Sequence, residues 1–91
     1  PVAAIEAQQN RERGAAATLA GIDENTAIAK LNLYCKKTKV LIDEIYTKPG
    51  DCHTFSLTYS SVLRAVQGTG TGLTKKEAKK RAAVALLQEL A

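Results

Sequence analysis

The chain has 91 residues, of which 45% are hydrophobic and 24% charged, and a formal net charge of +4. A chain of this length suits one small domain that buries only about 60–70% of its extended surface on folding, so the core will be modest. No apolar run approaches the roughly 20 residues of a membrane-spanning helix, and the composition is that of a soluble globular protein.

The charge is unevenly placed. Residues 1–24 set Arg11 and Arg13 against Glu6, Glu12, Asp23 and Glu24, a net −2. Residues 25–91 set eleven Lys or Arg against five carboxylates, a net +6. A basic face on a small domain predicts a polyanionic partner, although many such faces are only solvated. Pro1 and the lack of any methionine point to a piece excised from a longer protein, with no signal-peptide pattern. Cys35 and Cys52 are more often two thiols in a reducing compartment than a lone bridge, so an intracellular setting, nuclear or cytoplasmic, is expected. With His53 they offer too few ligands for structural zinc.

In chain order, residues 1–24 are rich in Ala, Glu, Gln and Arg, which favours helix, while Gly14 and Gly21 interrupt it. Val2, Ile5, Ala16 and Leu19 make a thin stripe, predicting a partly helical extension that either packs on the domain or frays. Asp23 or Asn25 is positioned to cap a helix in which Ile28, Leu31, Tyr34 and Cys35 face the core through Lys37. Leu33 then lies on the outside beside Asn32.

Lys39–Tyr46 is dense in β-branched residues and reads as a strand, followed by the Pro49-Gly50 turn. Phe55, Leu57 and Tyr59 alternate with Thr54, Ser56, Thr58 and Ser60, a strand with one buried face. Val62, Arg64 and Val66 alternate with Leu63 and Ala65, predicting a third, antiparallel strand after a tight hairpin, which ends at Gln67. Beyond it, Ala78, Ala82, Ala85, Leu86 and Leu90 fall on one helical face.

The segment between these last two elements carries the chemistry. Gly68, Gly70 and Gly72 form Gly-x-Gly-x-Gly, which has neither the Rossmann spacing nor the Gly-Lys-Ser/Thr of a Walker loop. It reads as a flexible connection or as backbone that approaches an anion closely. Thr74 and Glu77 make a capping-box pattern, so the helix should start at Lys75. Lys75, Lys76 and Lys79 then cluster beside free backbone N–H groups, a ready anion site. Cations in that turn oppose the helix dipole by roughly 0.3–1 kcal/mol when exposed, a conflict that an outside anion would remove. A solvated face, or a short basic targeting signal through Arg81, would have the same composition. A single His and Ser60 or Ser61 without a nearby base leave no catalytic group, so a non-catalytic chain without cofactor, metal or small-molecule substrate is expected.

Residues 25–91 resemble the double-stranded RNA-binding domain family. The resemblance rests on Leu31-Asn-Leu-Tyr-Cys35 in the first helix, on the three strands, and above all on Gly68–Lys79 followed by Ala82-Ala-x-Ala-Leu-Leu87. It implies an α+β fold, α-β-β-β-α with two helices on one face of a three-stranded antiparallel sheet, preceded by the extension over residues 1–24. It also implies that the partner is duplex RNA, read by shape across two minor grooves and the major groove between them, with little sequence preference. The family's phosphate-binding lysines correspond to Lys75, Lys76 and Lys79, with Lys80 beside them. Asn32 stands in the first helix's polar pair, where Leu33 cannot hydrogen-bond, and Thr26 opens that helix. In the first loop the family's Gly-Pro is reversed to Pro49-Gly50, and His53 stands two residues before Phe55, as a minor-groove contact or an ordinary surface histidine. Such domains also occur beside ribonuclease III catalytic domains, deaminases and helicases, and the glycine run is similar to the ribonuclease III version. Some relatives use the fold for protein contacts or dimerisation, for which Leu33 and the extension would supply the surface.

Overall fold

The computed structural model describes residues 2–91. High helix propensity carries the N-terminal segment into one helix, α1 (Val2–Ala15), and Gly14 is absorbed within it. A 3₁₀ turn over Ala16–Leu19 ends it, and Gly21 supplies the left-handed φ of +62° that turns the chain. The remaining elements are α2 (Ala27–Thr38), β1 (Ile42–Thr47), β2 (His53–Ser60), β3 (Ala65–Gly72) and α3 (Lys75–Leu90). The sheet is antiparallel in the order β1-β2-β3, and α2 and α3 pack together over it, the expected α-β-β-β-α arrangement.

The extension is part of this packing. Its buried residues are Gln8 and Ala15, whereas Val2 and Ile5 of the expected stripe are exposed. Gln8 Nε2 donates to Glu12 Oε2 at 3.0 Å and to the Tyr59 hydroxyl at 3.3 Å. Glu12 Oε2 also accepts from Tyr59 at 3.3 Å and from Ser61 at 3.1 Å. Its other oxygen lies 3.1 Å from Arg64 Nε, an ion pair without hydrogen-bond alignment, while the Arg64 guanidinium donates to the Tyr34 hydroxyl at 2.9 Å. One carboxylate thus ties α1 to β2, to the β2–β3 loop and, through Arg64, to α2. Replacing Glu12 by alanine leaves these donors uncompensated, and the expected loss is about 1–3 kcal/mol. Each kcal/mol corresponds to roughly 4–8 °C in a domain of this size, so thermal melts of Glu12→Ala check it.

Neither Asp23 nor Asn25 caps α2. Asp23 instead builds the preceding turn, its carboxylate accepting from the Asn25 N–H at 3.0 Å and its carbonyl from the Thr26 N–H. Thr26 takes the N-cap position without a side-chain cap bond. At the other end Lys39 adopts φ +59° and the Val40 N–H reaches back to the Cys35 carbonyl. That left-handed residue ends the helix, so β1 starts at Ile42, three residues later than the β-branched composition predicts. The predicted Pro49-Gly50 turn forms, closed by the Cys52 N–H on the Pro49 carbonyl, with Gly50 at φ +64°.

The third strand departs most from the sequence expectation. Val62, Leu63 and Arg64 belong to a four-residue loop, in which the Ser61 hydroxyl accepts from the Leu63 and Arg64 N–H groups and the Ser61 N–H meets the Arg64 carbonyl. The strand then runs through the glycines to Gly72. Gly72, Gly70 and Gly68 pair with His53, Phe55 and Leu57 and face the helices. A Cβ on Gly68 would lie 2.7 Å from the Ala82 carbonyl oxygen, and one on Gly70 2.5 Å from that of Ala78. The glycines are therefore neither a flexible connection nor a cradle for an anion. They let the backbone of α3 rest on the backbone of β3. Of the face expected on α3, Ala85 is only half-buried, and Ala83 and Leu87 complete the core instead.

Two side chains resist ionisation. Burial pushes the Tyr59 phenol up to about 12 and the Cys35 thiol, half-buried on α2, up to about 11. Their ordinary values are 10.0 and 9.0. The folded state therefore keeps protons that the unfolded chain releases, and the stability from these groups is complete below about pH 9 and is lost as pH rises towards 12. Melting temperatures measured across that alkaline window are expected to fall progressively, and an ultraviolet phenolate titration should show a late step for Tyr59.

Candidate nucleic-acid interface

The predicted start of α3 is where the structure places it. Thr74 is extended, and its hydroxyl accepts from the Glu77 N–H at 3.1 Å, the backbone half of a capping box. Lys75, Lys76, Lys79 and Lys80 follow in the first two turns. Lys75 and Lys79 share one edge of the helix and Lys76 and Lys80 the adjoining edge. Lys75 and Lys76 are exposed, and Lys79 and Lys80 half-buried.

Strand β1 meets the first of these edges. Ile42, Glu44 and Tyr46 oppose Tyr59, Leu57 and Phe55, so they share the sheet face that carries the helices. The Lys75 ammonium sits 4.6 Å from the centroid of the Tyr46 ring, a cation–π contact. Lys79 Nζ pairs with Glu44 Oε1 at 3.1 Å. With Glu77 in the first turn, these contacts offset internally part of the conflict between the lysines and the helix dipole. Lys76 and Lys80 have no ion-pair partner among the described residues.

The same strand brings His53 in. The Tyr46 hydroxyl hydrogen-bonds Nδ1 of His53 at 2.6 Å, and the two rings stack with centroids 5.8 Å apart. His53 opens β2 and is half-buried, so it is anchored at the mouth of the β1–β2 loop and is not a freely rotating surface histidine. Asn32, exposed on α2, joins from the other side: it lines an open groove of about 500 Å³ with Cys35, Lys36, Ile42 and Glu44. The structure thus links Asn32, Glu44, Lys79, Lys75, Tyr46 and His53 into one continuous surface spanning both helices and the first two strands. Thr26 is exposed at the start of α2, and no described contact links it to that surface. Leu33 is 45% exposed beside Asn32.

Sequence reasoning missed Glu44 and Tyr46. The signal was present, because alternation along β1 puts both on the face that carries the helices, where they stand beside α3 while remaining exposed.

A family model for the double-stranded RNA binding motif matches residues 27–90, which runs from the first residue of α2 to the last of α3. The chain belongs to that family. Double-stranded RNA binding is the activity that the motif carries at family level, and the motif is an RNA-binding domain without a catalytic role. Neither the curated proteins nor the solved structures compared with the chain gave a match.

Proposed function

We infer that this chain binds A-form duplex RNA by shape, through phosphates and 2′-hydroxyls, with little sequence preference. The observation that carries the reading is the continuous surface from Asn32 to the lysines of α3 and on to His53, which lies wholly within the matched motif. Lys75, Lys76 and Lys79, with Lys80 beside them, meet the phosphates across the narrow major groove. Asn32 and Thr26 on one side and His53 on the other are the groups available to minor-groove hydroxyls. Two free thiols fit a reducing intracellular setting, nuclear or cytoplasmic.

The test compares binding to duplex RNA, duplex DNA and single strands of equal length at near-physiological salt. A clear preference for duplex RNA is the expected result. Equal binding to all three would reduce the surface to generic basic attraction. No binding to any would favour a protein-contact role, with Leu33 and the exposed Val2 and Ile5 of α1 as its surface.

A further inference from the structure

The lysine on the inner edge of α3 already has an anion. Lys79 Nζ lies 3.1 Å from Glu44 Oε1, with side chains 37% and 46% exposed, so water and a ligand both reach the pair. Glu44 comes from β1, on the wall of the groove that also holds Asn32. A carboxylate and a phosphate oxygen make the same demand on an ammonium group: a charge-assisted hydrogen bond of similar length.

We propose that Glu44 is a resident competitor for the phosphate that Lys79 receives, an inference that rests on the duplex-RNA reading above. Engaging a phosphate requires Lys79 to leave Glu44. The freed carboxylate then takes up cations from solution, and that uptake offsets one of the counterions released from the RNA. The protein therefore binds more weakly, and with a shallower salt dependence, than its lysine count implies. Lys75 faces a neutral ring and carries no such penalty, so the two lysines of one edge differ in what they contribute.

The experiment measures duplex-RNA affinity over a range of salt for wild type, Glu44→Gln, Asp43→Asn, Lys79→Gln and the Glu44→Gln/Lys79→Gln double variant. Asp43 lies on the same strand and is exposed, but it faces away from the helices, so it controls for loss of a negative charge in general. Glu44→Gln is expected to bind about two- to fivefold more tightly, the range that an exposed ion pair supports. Its plot of log affinity against log salt should steepen by up to about one unit. Asp43→Asn should show less of both effects, and in the Lys79→Gln background the Glu44→Gln gain should vanish. Equal gains from Glu44→Gln and Asp43→Asn, or a gain that survives loss of Lys79, would reduce the effect to bulk charge and overturn the competitor. Weaker binding by Glu44→Gln would show that the carboxylate positions Lys79, and would overturn it too. Those outcomes leave the RNA reading intact; a wild-type protein that binds no duplex RNA at any salt overturns both.

Discussion

Gly70→Ala is expected to destabilise the protein by about 3 kcal/mol, the upper end of the usual overpacking range. The new methyl group would lie 2.5 Å from the Ala78 carbonyl oxygen and 2.7 Å from the Arg81 carbonyl carbon, and both are backbone atoms of α3. A side chain in the way could rotate aside; a helix backbone must move as a body, and this one also rests on Gly68 and Gly72. With roughly 4–8 °C per kcal/mol for a domain of this size, the melting temperature should fall by about 12–24 °C. Gly14→Ala provides a control of opposite sign. Its Cβ meets nothing within 4 Å and it lies in α1, so alanine there should stabilise by up to about 1 kcal/mol through helix propensity. Thermal melts of the two variants side by side decide the matter, and a Gly70→Ala protein that melts with wild type would contradict backbone-to-backbone packing.

Replacing Lys75, Lys76 and Lys79 together by alanine should weaken duplex-RNA binding by roughly 10–100-fold at near-physiological salt and flatten its salt dependence by about two to three ion-release units. The lower figure follows if Glu44 already offsets one of the three. The fold should survive, because the Thr74 cap and the buried face of α3 are untouched. Removing cations from the first turn also relieves their opposition to the helix dipole. Binding titrations at several salt concentrations measure the slope directly, and an unchanged slope would remove these lysines from the phosphates.

The order of elements after the extension was legible because each has a strong local signal: helical spacing through Leu31 and Tyr34, alternation around Leu57, and the Thr74 cap. What escaped was set by partners distant in sequence. Gly-x-Gly-x-Gly has low strand propensity, and only the approach of α3 makes it the right sequence for β3. The start of β1 shifted because Lys39 adopts a left-handed conformation that nothing in Lys-Val-Leu-Ile announces. At the candidate site the lysines were visible as a cluster, whereas their inequality was not. It depends on Glu44 and Tyr46, which lie some thirty residues earlier and meet the lysines only when β1 and α3 share a sheet face. Within the extension, the face that packs escaped for a similar reason, since its buried residues are Ala15 and Gln8, a polar side chain satisfied by Tyr59.

The contacts of α3 also share a common measure. Four residues of helix rise about 6.0 Å, and two residues of strand advance about 6.8 Å. Gly72, Gly70 and Gly68 receive the helix in steps of two strand residues, near Ala78, Ala82 and Leu86, four helix residues apart. Across the sheet, Lys75 meets Tyr46 and Lys79 meets Glu44, again four residues against two. The two scales agree over a few marks and would drift apart over many, as on a vernier. The seating of α3 against the glycines of β3 and the pairing of its lysines with β1 are therefore one register, and whatever fixes the first also sets which β1 side chain each lysine reaches.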